Sequence, residues 1–162
     1  MGVTEISLLV SASEAHSMKT LRQSRADQWN NVRRMAAAAR GRFRLIGTVS
    51  VAFGCPFEGA VDPGRVLELA RHFAAAEADE VVFADTVGVG VPRQVRELVG
   101  TAVSELSCPV GVHLHNTRNT GFANAYAAVD AGATVLDASV GGIGGCPFAP
   151  RATGNVATED LV

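Results

Sequence analysis

The chain has 162 residues, 48% of them hydrophobic, with 17 glycines and a formal net charge of −2. That is enough apolar material for one domain with its own core, and it excludes a disordered segment. The charges are scattered and nearly balanced, so no basic surface is offered to nucleic acid or an anionic membrane, and no run of about 18 apolar residues is present to span one. Cys55, Cys108 and Cys146 are odd in number and widely spaced, and no basic-then-apolar leader opens the chain. Free thiols in a soluble protein of the reducing cytoplasm are therefore expected, rather than a disulfide frame.

The first element is a strand over residues 5–12, followed by a polar segment over 13–25. A helix is expected over about 27–40, because the Met35-Ala-Ala-Ala-Ala39 body favours one by propensity. Residues 44–53 form a second strand, closed by the turn chemistry of Gly54-Cys-Pro-Phe-Glu-Gly59. Asp62-Pro63 is an N-cap followed by proline at the first helical position, and opens a helix to about residue 78. Val66, Leu69, Ala70 and Phe73 give that helix one apolar face. A third strand spans residues 80–86 and contains Asp85. Pro92 starts the next helix, to about residue 106. A strand over 109–116, a helix over 119–130 with Gly132 beyond it, and a strand over 134–140 complete the pattern. A glycine-rich loop then runs to Asn155, and Thr158-Glu159-Asp160 reads as a helix start.

Strands alternating with helices imply a parallel sheet with right-handed crossovers. Five such strands suit a flavodoxin-like doubly wound sheet. They suit equally a partial (β/α)₈ TIM barrel, whose full form takes about 250 residues. No glycine fingerprint for phosphate follows the first strand, which weighs against a nucleotide-binding sheet.

The stretch Pro109-Val-Gly-Val-His-Leu-His-Asn116 organises the rest. Side chains alternate along a strand, so Val110, Val112 and Leu114 face one way while His113 and His115 face the other. Two imidazoles about 7 Å apart along one face can converge on a single divalent ion. Asp85, the two histidines, Cys146 and Asn155 all fall at strand carboxyl ends or in the loops beyond them, which share one rim in either arrangement. Each has a plainer alternative. One histidine can be a core residue, Asp85 a turn acid, Cys146 an inert apolar side chain and Asn155 a helix cap. Cys55 reads as structural, and His16 and His72 as packed or solvent-facing.

These residues carry a resemblance. Gly54-Cys-Pro-Phe-Glu-Gly59, Ala84-Asp-Thr-Val-Gly-Val-Gly90, Val112-His-Leu-His-Asn116, Gly141-Gly-Ile-Gly-Gly-Cys-Pro-Phe148 and Thr153-Gly-Asn155 through Ala157-Thr-Glu-Asp-Leu161 resemble the 3-hydroxy-3-methylglutaryl-CoA lyase family. That family belongs to a superfamily of metal-dependent lyases and Claisen-condensing enzymes built as (β/α)₈ barrels. The likeness runs from Ser7-Leu-Leu-Val-Ser-Ala-Ser-Glu14 to the last residue, and covers barrel strands four to eight. It implies a single partial-barrel domain over residues 1–162. His113, His115 and Asn155 match metal ligands for Mg²⁺ or Mn²⁺. Cys146 matches a catalytic loop cysteine and Asp85 an active-site acid, with an acyl-CoA as substrate.

The departures are specific. Nothing here matches the family's first-strand Arg-Asp-Gly, which supplies a further metal ligand and a catalytic arginine. Asn116-Thr-Arg118-Asn119 stands where the family has Asp-Thr-Tyr-Gly, which leaves the acyl group open. The resemblance implies metal-assisted retro-Claisen cleavage to acetyl-CoA and a 3-keto acid. The alternatives are a condensing relative, or an inactive or complementation-dependent barrel segment. An open sheet with unpaired edges predicts self-association or pairing with a missing barrel segment.

Overall fold

The computed structural model describes residues 2–145 and 154–162. Five strands are present: β1 (Glu5–Ser11), β2 (Arg44–Ser50), β3 (Glu80–Asp85), β4 (Val110–Leu114) and β5 (Val135–Asp137). They form one sheet in the order β1-β2-β3-β4-β5, and every neighbouring pair is parallel. A doubly wound sheet reverses its strand order at a switch point. This order never reverses, so the flavodoxin-like alternative falls and the partial barrel stands.

The connections are α1 (Glu14–Leu21), α2 (Arg25–Ala39), α3 (Pro63–Ala75), α4 (Pro92–Glu105) and α5 (Gly121–Asp130). Helix α1 lies in the segment expected to be irregular. Its start is fixed by Ser13, whose hydroxyl accepts the backbone N–H of His16 at 3.0 Å, and it ends at Arg22 in a left-handed conformation with φ of 53°. A helix of eight residues with alternating polarity leaves almost no periodic signal, so the sequence shows only a polar segment there. Asp62 caps α3 as expected, accepting from Gly64 N at 3.0 Å. Strands β2 and β5 end three residues earlier than their apolar runs do. The chain turns at Val51, which has φ of 52°, and at Ser139, whose N–H goes to Val156 rather than to a strand.

One parity of the sheet faces the helices. Leu8, Val10, Leu45, Val49, Val81 and Phe83 are buried there against α2, α3 and α4. Gly47 has that parity too, and Phe73 of α3 occupies the space its side chain would take. A Cβ on Gly47 would lie 2.4 Å from the Phe73 ring. Trp29 meets the same ring edge-on at 5.3 Å, which locks α2 and α3 onto the sheet. The opposite parity faces a cavity of ≈ 720 Å³. At its lower end Arg44 bridges Glu5 and Glu80, and Glu80 is only 2% exposed.

The Gly47–Phe73 contact yields a test. Gly47→Ala should destabilise the fold by about 1–3 kcal/mol, because the ring must leave its rotamer. Urea unfolding measures it, and adding Phe73→Leu should recover part of the loss.

Candidate active site

β4 places Val110, Val112 and Leu114 in the helix-facing core, each 2% exposed or less, and turns the two histidines to the cavity. Their rings meet edge to face, with Nε2 of His113 3.3 Å from Nε2 of His115. His113 Nδ1 lies 2.9 Å from Asp137 Oδ2 on β5, which pairs with it in register. A carboxylate only accepts, so Nδ1 carries the proton and donates, which in the neutral tautomer leaves the Nε2 lone pair on the side of the cavity and His115. The same hydrogen bond holds the Asp137 carboxyl below its ordinary range, against the effect of partial burial.

The far end of the glycine-rich loop returns beside this pair. Asn155 bridges His115 in antiparallel fashion, with Asn116 N–H donating to Gly154 O at 3.2 Å and Val156 N–H to Leu114 O at 3.0 Å. The Asn155 amide nitrogen donates to Ile143 O at 3.0 Å, which leaves its Oδ1 buried and without a partner among the described residues. Only glycine allows this closure at Gly154. A Cβ there would meet the Gly142 carbonyl oxygen at 2.1 Å. Glu159 completes the base by accepting the Gly141 N–H with both oxygens, at 2.8 and 3.0 Å.

Two imidazole nitrogens thus meet at the cavity, and the Asn155 backbone is bridged to His115, so the candidate donors sit on adjoining residues: two imidazole nitrogens and one amide oxygen. Two nitrogen ligands about 2.1 Å from one ion at roughly a right angle are themselves about 3 Å apart, close to the observed spacing. Among the described residues no group of three His, Cys, Asp or Glu is placed to hold a metal ion, and two imidazole nitrogens with an amide oxygen are donor types that suit a divalent cation as part of a larger shell. Asp85 stands behind the pair rather than beside it. Its parity is that of the helix face, it is fully buried, and its carboxylate accepts Val89 N–H at 3.0 Å and Gly90 N–H at 2.9 Å. Burial raises its pKa, and those N–H groups and the nearby His115 work the other way. Cys146 lies outside the described residues.

The sequence profile of the HMGL-like family matches residues 1–162. The chain belongs to that family. It is 44% identical to an (R)-citramalyl-CoA lyase from Chloroflexus aurantiacus, over 99% of this chain and 51% of that protein. It is 37% identical to the mitochondrial hydroxymethylglutaryl-CoA lyase of Rattus norvegicus, over 99% of this chain and 50% of that protein. An HMG-CoA lyase from Acinetobacter baumannii, solved with coenzyme A and 3-methylmalate, superposes with a TM-score of 0.93 at 39% identity. That match covers 98% of this chain and 52% of the other. The chain spans about half the length of the curated relatives it matches.

Two residues of the site escaped the sequence reading. Asp137 was legible only as an acid inside an apolar run; its partner emerges from the β4–β5 register. His16, expected to be packed or solvent-facing, is 5% exposed, sits on the cavity wall and makes its own polar contact with Ser11 Oγ at 3.0 Å. Burial lowers its pKa from the ordinary 6.5, and Glu58 opposes this only partly. The folded state therefore binds the His16 proton less readily than the unfolded chain, so stability is full above 6.5 and declines as pH falls through that value. Urea midpoints followed from about pH 8 to about pH 5 should show a steeper acid-side fall in the wild type than in His16→Gln.

Proposed function

We propose that this chain carries the metal-binding and proton-transfer part of a carbon–carbon lyase active site acting on a 3-hydroxyacyl-CoA. The observation that carries the reading is the pair of Nε2 atoms at 3.3 Å on the wall of a cavity of ≈ 720 Å³, with Asn155, whose Oδ1 has no partner among the described residues, bridged through its backbone to His115. His113, His115 and Asn155 would hold Mg²⁺ or Mn²⁺, consistent with the nitrogen and oxygen donor set. A bound divalent cation supplies Lewis acidity to the substrate's tertiary hydroxyl oxygen.

The residues of the chain do the rest. Asp137 fixes the His113 tautomer and ring plane through the 2.9 Å contact. The His113 ring has a single lone pair, on Nε2, so His113 serves as proton shuttle for the hydroxyl when His115 and Asn155 hold the cation, and Asp85 is a positioning acid that holds the Val89–Gly90 backbone. As the hydroxyl proton leaves, the carbonyl forms and the electrons of the C–C bond pass to the thioester enolate. The Cys146 thiol then gives its proton to the enolate carbon, releasing acetyl-CoA and a keto acid. The acyl group is a 3-hydroxy-3-alkylglutaryl or a citramalyl unit, in keeping with the two kinds of relative. Condensation of the synthase type is the reverse sense of the same chemistry, but the Gly-Gly-Cys-Pro-Phe loop favours cleavage. We place the protein in the cytosol on its free thiols; among the described residues no helix is long and apolar enough to cross a membrane.

A second reading follows from the half-length match and from the sheet face left open to the cavity. In it the chain is a single partial-barrel domain that becomes active only with a partner, a second copy or a segment bearing Arg-Asp-Gly. Without that arginine the developing enolate oxygen lacks a cationic partner, and losing one such donor lowers the rate by about 10²–10³-fold. The chain alone should therefore turn over neither hydroxymethylglutaryl-CoA nor citramalyl-CoA appreciably with Mg²⁺ or Mn²⁺, and should gain activity on adding a fragment carrying that strand. Full activity of the isolated chain would contradict this reading. For the metal site, Asp137→Asn should weaken Mn²⁺ binding by about 10–100-fold, measured by titration calorimetry. Unchanged affinity in both Asp137→Asn and His113→Ala would refute the site itself.

A further inference from the structure

The cavity that holds the imidazole pair has a second polar place on its opposite wall. Ser11 ends β1, and its register partner is Ser50 on β2. Val49, one residue before Ser50, pairs with Phe83, and Ala84, one residue after Phe83, pairs with His113. Ser11, Ser50, Ala84, His113 and Asp137 thus lie in one row across the sheet, on the cavity parity. His16 rises from the first turn of α1 above Ser11.

The hydrogen bonds around Ser11 assign the His16 tautomer. The Ser11 hydroxyl lies 2.9 Å from Ser13 O, a carbonyl that can only accept, so the single hydroxyl proton goes there. Ser11 Oγ accepts Ser13 N–H at 3.1 Å, and His16 Nδ1 approaches it at 3.0 Å. With the hydroxyl proton committed, Nδ1 must donate, and the neutral ring has a bare lone pair on Nε2. That nitrogen is buried and has no partner among the described residues, and the same holds for Ser50 Oγ. His16 and Ser50 are 5% and 3% exposed, and both contribute to the cavity wall. Leaving such atoms unmatched is costly, so two on residues that line one cavity, joined through the Ser11–Ser50 register and the His16–Ser11 contact, point to a ligand group that matches them.

We propose that His16 and Ser50 form a subsite for a secondary amide, the one nearest the sulfur in the pantetheine arm of an acyl-CoA. His16 Nε2 accepts the amide N–H, and the Ser50 hydroxyl donates to the amide carbonyl oxygen. A secondary amide offers one donor and one acceptor side by side; a carboxylate would set a second acceptor against the Nε2 lone pair, and a hydroxyl would satisfy only one wall atom. The distances agree. Two strand spacings separate β2 from β4, about 10 Å. From the hydroxyl-bearing carbon of a 3-hydroxyacyl thioester to that amide's carbonyl oxygen, the Ser50 partner, is eight bonds, about 8 Å because the amide oxygen folds back toward the chain. A hydrogen bond of about 3 Å closes the remainder. Between the two places the floor is Val82 and the methyl of Ala84, which leaves room for a thioester and two methylenes.

The inference rests on the acyl-CoA reading, and the experiment separates the two. Acetyl-CoA is titrated into the wild-type chain, His16→Leu and Ser50→Ala by calorimetry, and the imidazole ¹⁵N spectrum of the wild type is followed in parallel. Each variant should bind acetyl-CoA about 5–10-fold more weakly, the loss of one neutral hydrogen bond. In the wild type the His16 Nε2 signal should move on adding acetyl-CoA while Nδ1 stays, a change that a purely structural histidine would not show. The spectrum needs no variant, so it decides even if His16→Leu fails to fold. An unmoved Nε2 signal, or wild-type affinity in both variants, overturns the subsite and leaves the acyl-CoA reading intact. Failure of the wild type to bind acetyl-CoA overturns both.

Discussion

The parity of a parallel sheet is the constraint on which the site depends. Because β4 alternates faces, burying Val110, Val112 and Leu114 under the helices turns His113 toward the cavity. Because β4 and β5 pair in parallel register, Asp137 arrives beside His113 and not one residue off. A one-residue slip would send Asp137 to the helix face and leave the imidazole without its carboxylate. The Gly47–Phe73 contact is remote from the chemistry, yet it belongs to the same constraint. It packs α3 on β2 and so helps fix the row that begins at Ser11 and ends at Asp137.

Much of this was legible in the sequence. Strict alternation around His113, the Asp62-Pro63 cap and the order of apolar runs carry the parallel topology, because each is a local signal with a local cause. The His-x-His spacing places both imidazoles within one strand's reach, and the structure brings them together. Asn155 joins them through a bridge to His115. What could not be read depends on contacts between distant segments. Asp137 is separated from His113 by 24 residues, and no spacing rule links them. Helix α1 is too short for periodicity to register, and His16 acquires its role only because α1 folds over the end of β1.

Asp85 shows how a motif can be read correctly in place and incompletely in function. It stands at the carboxyl end of β3, where barrel enzymes keep their chemistry, but on the helix-facing parity. There its carboxylate organises backbone rather than facing the cavity, gathering the N–H groups of Val89 and Gly90. Asn124 donates to Gly90 O at 3.0 Å, and Thr120 to the same oxygen at 3.2 Å. The loop after β3 is therefore tied both to β3 and to α5. His115 lies near enough to favour the charged form of the Asp85 carboxyl, against the larger effect of its burial.

The distribution of unsatisfied polar atoms gives the final link between energetics and function. A buried donor or acceptor without a partner costs about 1–3 kcal/mol, so a chain that folds keeps few of them. Of seven such side-chain atoms among the described residues, His16 Nε2 and Ser50 Oγ belong to cavity-lining residues and Asn155 Oδ1 to the residue bridged to His115, while those of Arg25, Gln28, Thr117 and Asn124 lie on residues away from the cavity. The remaining atoms of the same two side chains are well held: His16 Nδ1 by Ser11, and the Asn155 amide nitrogen by Ile143 O. Each of these two groups is thus anchored at one end and left open at the other, which is the arrangement of a preorganised binding group rather than of a packing error. The fold carries the cost, and the contacts at Ser11, Ile143 and Glu159 keep the open ends from collapsing onto neighbouring protein atoms.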